Sequence, residues 1–130
     1  MKSIKSQLEI LASYIPKRNT IDLEVSKVPV AWHLDHSLRV INSISRALEQ
    51  SDPAKFTRNY SFWRIVFFMT KHIPRGKGKS PKQVKPDEEI TLEELGRRLE
   101  FARKNIRMLN SLPKKANFPH PYFGQLNLSQ

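Results

Sequence analysis

The amino-acid sequence predicts an all-α protein, a helical bundle formed by a single domain over residues 1–130. Two segments carry long apolar stripes at spacings of three and four residues, one within residues 26–50 and one that begins at Thr91. Stripes of this length have to be buried against other helices. We therefore expect an antiparallel bundle built on these two helices, with more than about half of the ordered residues helical.

The first two helices are predicted over residues 3–15 and 26–50. In the first, apolar residues recur at spacings of three and four, and Pro16 ends the helix. In the second, Pro29 is tolerated in the first turn, and the helix runs to about Gln50. The apolar stripe of the second helix consists of Val30, Leu34, Leu38, Ile41, Ile44 and Leu48.

A third segment, residues 60–69, is apolar nearly all round and is interrupted by Arg64. Its β-branched and aromatic residues would also suit a strand, but no second strand-like segment exists with which it could pair. We therefore expect a buried helix in the middle of the fold. Its aromatic residues should lie in the core rather than in a ligand pocket, namely Phe62, Trp63, Phe67 and Phe68.

Residues 71–86 have a different character, with six positive charges, no acidic residue and five Pro or Gly residues. The prolines and glycines oppose regular structure, and the like charges oppose burial. We expect an exposed, mobile basic loop. Its charged residues are Lys71, Arg75, Lys77, Lys79, Lys82 and Lys85.

Thr91 begins the helix with the clearest signals. Thr91 and Glu94 form a capping-box pattern, and apolar residues continue at alternating spacings of three and four as far as Leu109. Leu112-Pro113 ends this helix. Residues 114–130 are expected to form an extended tail, whose last residues are typical of a helix cap.

Composition limits the chemistry. No cysteine is present, so disulfides and thiolate sites are excluded, and His, Asp and Glu remain as metal ligands. We expect a cytoplasmic protein without a membrane segment, because there is no secretory signal and no run of roughly 20 apolar residues. The 23 basic and 12 acidic residues give a net charge of +11, which either attracts phosphate-bearing partners or only keeps the surface soluble.

Two of the four histidines, His33 and His36, lie three positions apart on the second helix. This spacing places both imidazoles within one face, where they could share a cavity as ligands for zinc, nickel or iron. Two hydrogen-bonded packing histidines are the alternative, which the local pattern alone favours. Asp35 faces about 100° away from each, and we expect it to pair on the helix surface with Arg39.

Two segments resemble a known family. The stretch Val30-Ala31-Trp32-His33-Leu34-Asp35-His36-Ser37-Leu38-Arg39-Val40 resembles the first metal-binding helix of DinB/YfiT-like bundles. The stretch His120-Pro121-Tyr122-Phe123-Gly124-Gln125-Leu126 is similar to the segment before the last bundle helix in one uncharacterised branch of that superfamily. Their order and spacing also fit, so the resemblance covers about residues 26–126.

The resemblance implies an up-down four-helix bundle with a three-histidine site for nickel or zinc. One ligand carries over to His36, with His33 as an additional candidate, and the other two belong to a His-x-x-x-His pair on the final helix. Family members include thiol S-transferases and metal-dependent hydrolases, so a small-molecule thiol or an anionic substrate is implied. No catalytic residue can be named, so the sequence leaves open whether the protein is an enzyme. It also leaves open whether the protein forms a homodimer.

The sequence departs from the family at Gln130, where the final helix with its His-x-x-x-His pair should follow. We expect either that the polypeptide continues and completes the metal site, or that no metal is tightly bound. A second interpretation is a non-enzymatic basic module in which residues 71–86 hold nucleic acid or another polyanion. Without interleaved aromatic residues, such a loop would contact only the phosphate backbone.

Overall fold

A computed structural model of the chain describes residues 3–57, 62–70, 82–86, 89–120 and 123–128. These residues are mostly helical (61%), as the sequence predicted. None of the described helices is both long and apolar enough to cross a membrane. The elements are α1 (Ile4–Ser13), α2 (Val30–Glu49), α3 (Phe62–Thr70), α4 (Leu92–Leu109), β1 (Asn117–His120) and β2 (Gly124–Asn127), with short 3-10 turns at Ile15–Lys17, Pro53–Lys55 and Lys82–Val84.

Side-chain caps explain where α1 and α4 begin. The Ser3 hydroxyl accepts a hydrogen bond from the Ser6 amide at 3.2 Å. Thr91 does the same for the Glu94 amide at 3.1 Å, which confirms the predicted start of α4. Each cap satisfies a backbone donor that has no partner within its own helix.

The helix α2 begins at Val30. The predicted start near Ser26 is therefore four residues too early. Proline disfavours the helical conformation in the residue before it, so a helix cannot readily pass through Val28 into Pro29. No side chain among the described residues caps this end. Two amides of the first turn, those of Val30 and Ala31, instead donate to the carbonyls of Thr20 and Arg18 in the preceding connection.

One core joins three of the described helices. Leucines from α1, α2 and α4 meet there with small alanines, which allow the helices to approach closely. Among them, Leu38 and Leu95 are essentially inaccessible to solvent. The buried cluster consists of Leu8, Ala31, Leu34, Leu38, Leu95, Leu99, Ala102 and Ile106.

Polar contacts show the relative direction of α2 and α4. Asp35 pairs with Arg98 at 2.7 Å, and Asn42 accepts a hydrogen bond from Asn105 at 2.9 Å. Both contacts advance by the same number of residues along the two helices, so α2 and α4 run in the same direction. The antiparallel arrangement that we expected for these two helices is therefore wrong, because apolar stripes determine which faces meet but not the direction in which they run.

A forked ion pair ties α1 to α4. Arg103 donates to both carboxylate oxygens of Glu9, at 3.1 and 2.6 Å, and also to Glu100. The hydrogen bonds from Arg103 lower the pKa of Glu9 below its usual value. The pair is exposed, so it helps to orient α1 on α4 but contributes little to stability.

The helix α3 exists as predicted but is not buried. Phe62, Ile65 and Met69 are 73%, 49% and 80% exposed, whereas Arg64 is buried and donates to the Gln125 carbonyl at 3.3 Å. For the described side chains, the expectation of a buried helix in the middle of the fold, with Phe62 in the core, is therefore wrong. The side chains of Trp63 and Phe68 lie outside the described part. Apolar composition alone cannot show whether enough neighbouring surface exists to cover a helix.

Asn117–His120 and Gly124–Asn127 pair as the two strands of a β-hairpin, instead of forming the expected extended tail. The strands β1 and β2 pair antiparallel, with Asn117 opposite Asn127 and His120 opposite Gly124. Gly124 has a φ of 68°, a left-handed conformation that glycine adopts without steric cost. A short two-stranded hairpin gains stability only by packing, and this one is anchored by buried Ala116 and Leu126.

Hydrogen bonds hold the hairpin against the end of α2 and the segment that follows it. The Asn117 amide donates to the Ser51 hydroxyl at 3.0 Å, and the Thr57 amide donates to the Gln125 side chain at 3.0 Å. The turn at Lys82–Val84 packs on α2 as well, with Val84 buried. This short helical turn corrects the expectation that all of residues 71–86 lack regular structure, while residues 71–81 lie outside the described parts.

Candidate functional site

The His36 ring lies between α2 and the Lys82–Val84 turn. Its Nδ1 is 2.8 Å from the carbonyl oxygen of Val84. The indole of Trp32, one turn earlier on α2, stacks on the imidazole with ring centres 5.1 Å apart and an interplanar angle of 21°. The ring is therefore held at its edge by a hydrogen bond and across its face by an aromatic contact.

The hydrogen bond determines the tautomer of neutral His36. A carbonyl oxygen can only accept, so Nδ1 carries the hydrogen and the lone pair resides on Nε2. In the described part of the chain, this second nitrogen makes no hydrogen bond. Nε2 is thus the atom of His36 that could bind a metal ion or accept a proton.

His36 forms part of the wall of a groove of about 630 Å³ between α1 and α2. The wall is mainly aliphatic. Among the described residues that line it, His36 is the only ionisable one. The lining residues are Ile4, Gln7, Leu8, Ile10, Leu11, His36, Ser37, Val40 and Ile41.

His33 has a different environment. It is exposed, and its Nε2 is 2.9 Å from the Ser26 hydroxyl. The rings of Trp32 and His33 meet edge to face at 5.4 Å. Both histidines therefore contact the same indole, but His33 does not line the groove that contains His36.

A complete set of metal ligands is not found among the described residues. No group of three or more His, Asp or Glu side chains lies close enough in these ranges to hold a metal ion. Tightly bound zinc normally takes three or four protein ligands. These residues therefore fit one ligand of such a site, His36, rather than a whole site.

The predicted polyanion-binding residues are described only in part. Lys82 and Lys85 are exposed on either side of buried Val84, so the turn holds one end of the basic segment against α2. The other four, Lys71, Arg75, Lys77 and Lys79, lie outside the described residues. Binding of nucleic acid or another polyanion by this segment stays a prediction.

The sequence pattern indicates only part of the role of Asp35. The predicted pair with Arg39 forms at 2.7 Å, but Asp35 is 1% exposed and not on the helix surface. The Nε of Arg98, on α4, lies 2.7 Å from the other carboxylate oxygen of Asp35. The Nε–H of Arg98 is poorly directed toward that oxygen, so the contact is an ion pair without a hydrogen bond. The spacing of four residues revealed Arg39, whereas no local pattern points to Arg98.

His120 is the fourth histidine and occupies the end of β1. Its Nδ1 accepts a hydrogen bond from the Phe123 amide at 3.2 Å, and the two rings stack at 4.5 Å. Phe123 in turn stacks on Phe67 of α3 at 5.1 Å. Burial lowers the pKa of His120, which favours the neutral ring that this hydrogen bond requires.

Comparison with known proteins gives no match. No family model, curated protein or solved structure matches this chain. Membership of the DinB/YfiT-like superfamily therefore stays a prediction, which rests on the two segments around His36 and His120.

Proposed function

We propose that this protein binds a divalent metal ion, nickel or zinc, with Nε2 of His36 as one ligand. The observation that supports the proposal is the 2.8 Å hydrogen bond between His36 Nδ1 and the Val84 carbonyl. Metal-binding histidines almost always donate their second ring N–H to a carbonyl, carboxylate or water, which fixes the ring and leaves the other nitrogen for the metal. His36 has this arrangement.

The surroundings of His36 suit a ligand in a second respect. Stacking on Trp32 restricts rotation of the imidazole, so less conformational freedom is lost when a metal binds. The aliphatic wall of the adjoining groove lowers the local polarity, which strengthens electrostatic interactions with a cation. His33 is the weaker candidate, because it is exposed and its Nε2 contacts Ser26.

The proposal needs ligands beyond those described. The resemblance to DinB/YfiT-like proteins implies that they are a His-x-x-x-His pair on the final helix of an up-down four-helix bundle. Three histidines would leave coordination positions for water or a substrate. A metal-dependent thiol transferase or hydrolase is the activity that follows from the resemblance, and a bound metal would supply Lewis acidity for either reaction.

Metal content tests the proposal directly. The natural polypeptide, with any residues that follow Gln130, would be purified without an affinity tag and analysed for nickel and zinc by elemental analysis. We expect about one equivalent per chain, and almost none in His36→Ala, because loss of one of three ligands removes most of the affinity.

His33→Ala is the matched control, since it removes an imidazole one turn away on the same helix. We expect it to retain the metal. Circular dichroism would show whether both variants keep their helical content. Equal metal in the natural protein and in folded His36→Ala would mean that His36 is a packing residue, and the proposal would be wrong.

A further inference from the structure

A second groove, of about 600 Å³, lies between α2 and α4 and shares no lining residue with the groove that contains His36. Its volume is within the range of about 300–1,000 Å³ typical of small-molecule sites. The lining residues are Arg39, Asn42, Ser43, Arg97, Arg98, Glu100, Phe101 and Lys104. We call it the α2–α4 groove.

The α2–α4 groove is strongly basic. Among the described residues that line it, four are Arg or Lys and one, Glu100, is acidic. The Glu100 carboxylate accepts a hydrogen bond from Arg103, so its charge is already compensated. Two further charges are compensated by Asp35, which is buried beneath the groove, and by Glu94, which lies 3.4 Å from Arg98 and 3.7 Å from Arg97. The positive charges therefore outnumber the negative ones, and the groove attracts anions.

Two of the four cations are held in place before any ligand arrives. Arg39 and Arg98 flank the Asp35 carboxylate at 2.7 Å each, and their side chains are only 16% and 26% exposed. A guanidinium presents several N–H donors in one plane, a geometry that matches phosphate and carboxylate oxygens. The ion pairs orient both groups, so less side-chain entropy is lost on binding.

The other two cations are available at the rim. Arg97 is 73% exposed and approaches Glu94 no closer than 3.7 Å, too far for a hydrogen bond. Lys104 is exposed and forms no ion pair within the described ranges. Arg97 and Lys104 are seven positions apart along α4, so they lie two turns apart on the same side of the helix.

Phe101 lies between these two cations in sequence and is 51% exposed in the groove wall. An exposed phenyl ring among basic residues can pack against the apolar or aromatic part of a ligand whose charged group binds the arginines. Asn42 and Ser43 add polar atoms on the α2 side.

From these observations we infer that the α2–α4 groove binds a small molecule that carries a phosphate group and an apolar or aromatic portion. The cations surround one concavity instead of forming a long row, which favours a single charged group over the repeated phosphates of a nucleic acid. This inference does not depend on the proposed metal site.

Phenyl phosphate and inorganic phosphate are suitable probes, titrated into the full chain at 0.15 M salt and followed by the backbone amide NMR signals. We expect saturable shifts centred on residues 97–104 and 39–43, with phenyl phosphate the tighter of the two. Arg97→Ala should weaken both probes about tenfold, as expected for the loss of one charged hydrogen bond. Phe101→Ala should remove the preference for phenyl phosphate and leave inorganic phosphate binding unchanged.

Arg107→Ala is the matched control, because Arg107 is exposed on the same helix but does not line the groove. It removes the same charge, and we expect it to leave the affinity nearly unchanged at 0.15 M salt, where screening acts over about 8 Å. Equal weakening by Arg97→Ala and Arg107→Ala would overturn the inference. Tighter binding of single-stranded DNA at the same amides, with a steep salt dependence, would also overturn it and indicate a polyanion surface.

Discussion

The contact between α2 and α4 and the contact between α3 and the hairpin use their apolar residues in opposite ways. Leu38 and Leu95 are fully buried in the first, and the charged Asp35 is buried beside them with two arginines. In the second, the apolar Phe62 and Met69 of α3 are mostly exposed, whereas the charged Arg64 is buried.

This difference depends more on the surface that neighbouring elements offer for packing than on the hydrophobicity of each helix. The residues of α2 and α4 alternate between apolar and polar with helical periodicity, so each helix presents one apolar face to the other. The apolar residues of α3 surround the helix, and among the described residues the neighbouring hairpin contacts it through Arg64 and Phe67. A helix without a polar face is thus not necessarily a buried helix.

The largest expected effect separates the two regions by stability. Leu38→Ala should lower the free energy of unfolding by about 3 kcal/mol, because it removes buried methyl groups and leaves a cavity. Ile65→Ala on α3, which is 49% exposed, should change it by less than about 0.5 kcal/mol. Urea unfolding followed by circular dichroism measures both, and similar losses would show that α3 belongs to the same core.

A smaller effect on stability is expected from the buried carboxylate of Asp35, at the contact between α2 and α4. Asp35→Asn should destabilise the protein by about 2 kcal/mol, less than the roughly 3–5 kcal/mol of a fully buried pair, because the two arginines keep some contact with water. Lys55→Ala, which breaks the exposed pair with Asp52, should cost no more than about 0.5 kcal/mol. An unchanged midpoint in Asp35→Asn would mean that the carboxylate contributes packing rather than charge.

The smallest expected effect is a pH dependence confined to the hairpin. Burial lowers the pKa of His120 below 6.5, so the unfolded chain takes up a proton more readily than the folded one. Stability therefore falls as the pH drops through 6.5 and levels off below the lowered pKa. The protection factors of the β1 and β2 amides, which correct for the intrinsic pH dependence of exchange, should fall on acidification, whereas His120→Gln, which cannot titrate, should lack this component. The same pH slope in both proteins would contradict the assignment to His120.

Local sequence determined much of the secondary structure and one part of the candidate site. The Thr91 cap and the apolar periodicity of α1, α2 and α4 act over a few residues, so they can be recognised without knowing the fold. The pairing of Asp35 with Arg39 also follows from a spacing of four on a helix. The hairpin was not predicted, because its strands are short and Pro119 within β1 is unfavourable in a strand.

Only the tertiary structure decided which distant residues meet. Arg98 reaches Asp35, and the Val84 carbonyl orients the His36 ring, across separations over which sequence patterns carry no information about contact. The direction of α4 relative to α2, the exposure of α3 and both grooves have the same origin. Each depends on how much surface the other elements offer, and that balance of burial and chain entropy is settled only when the whole chain packs.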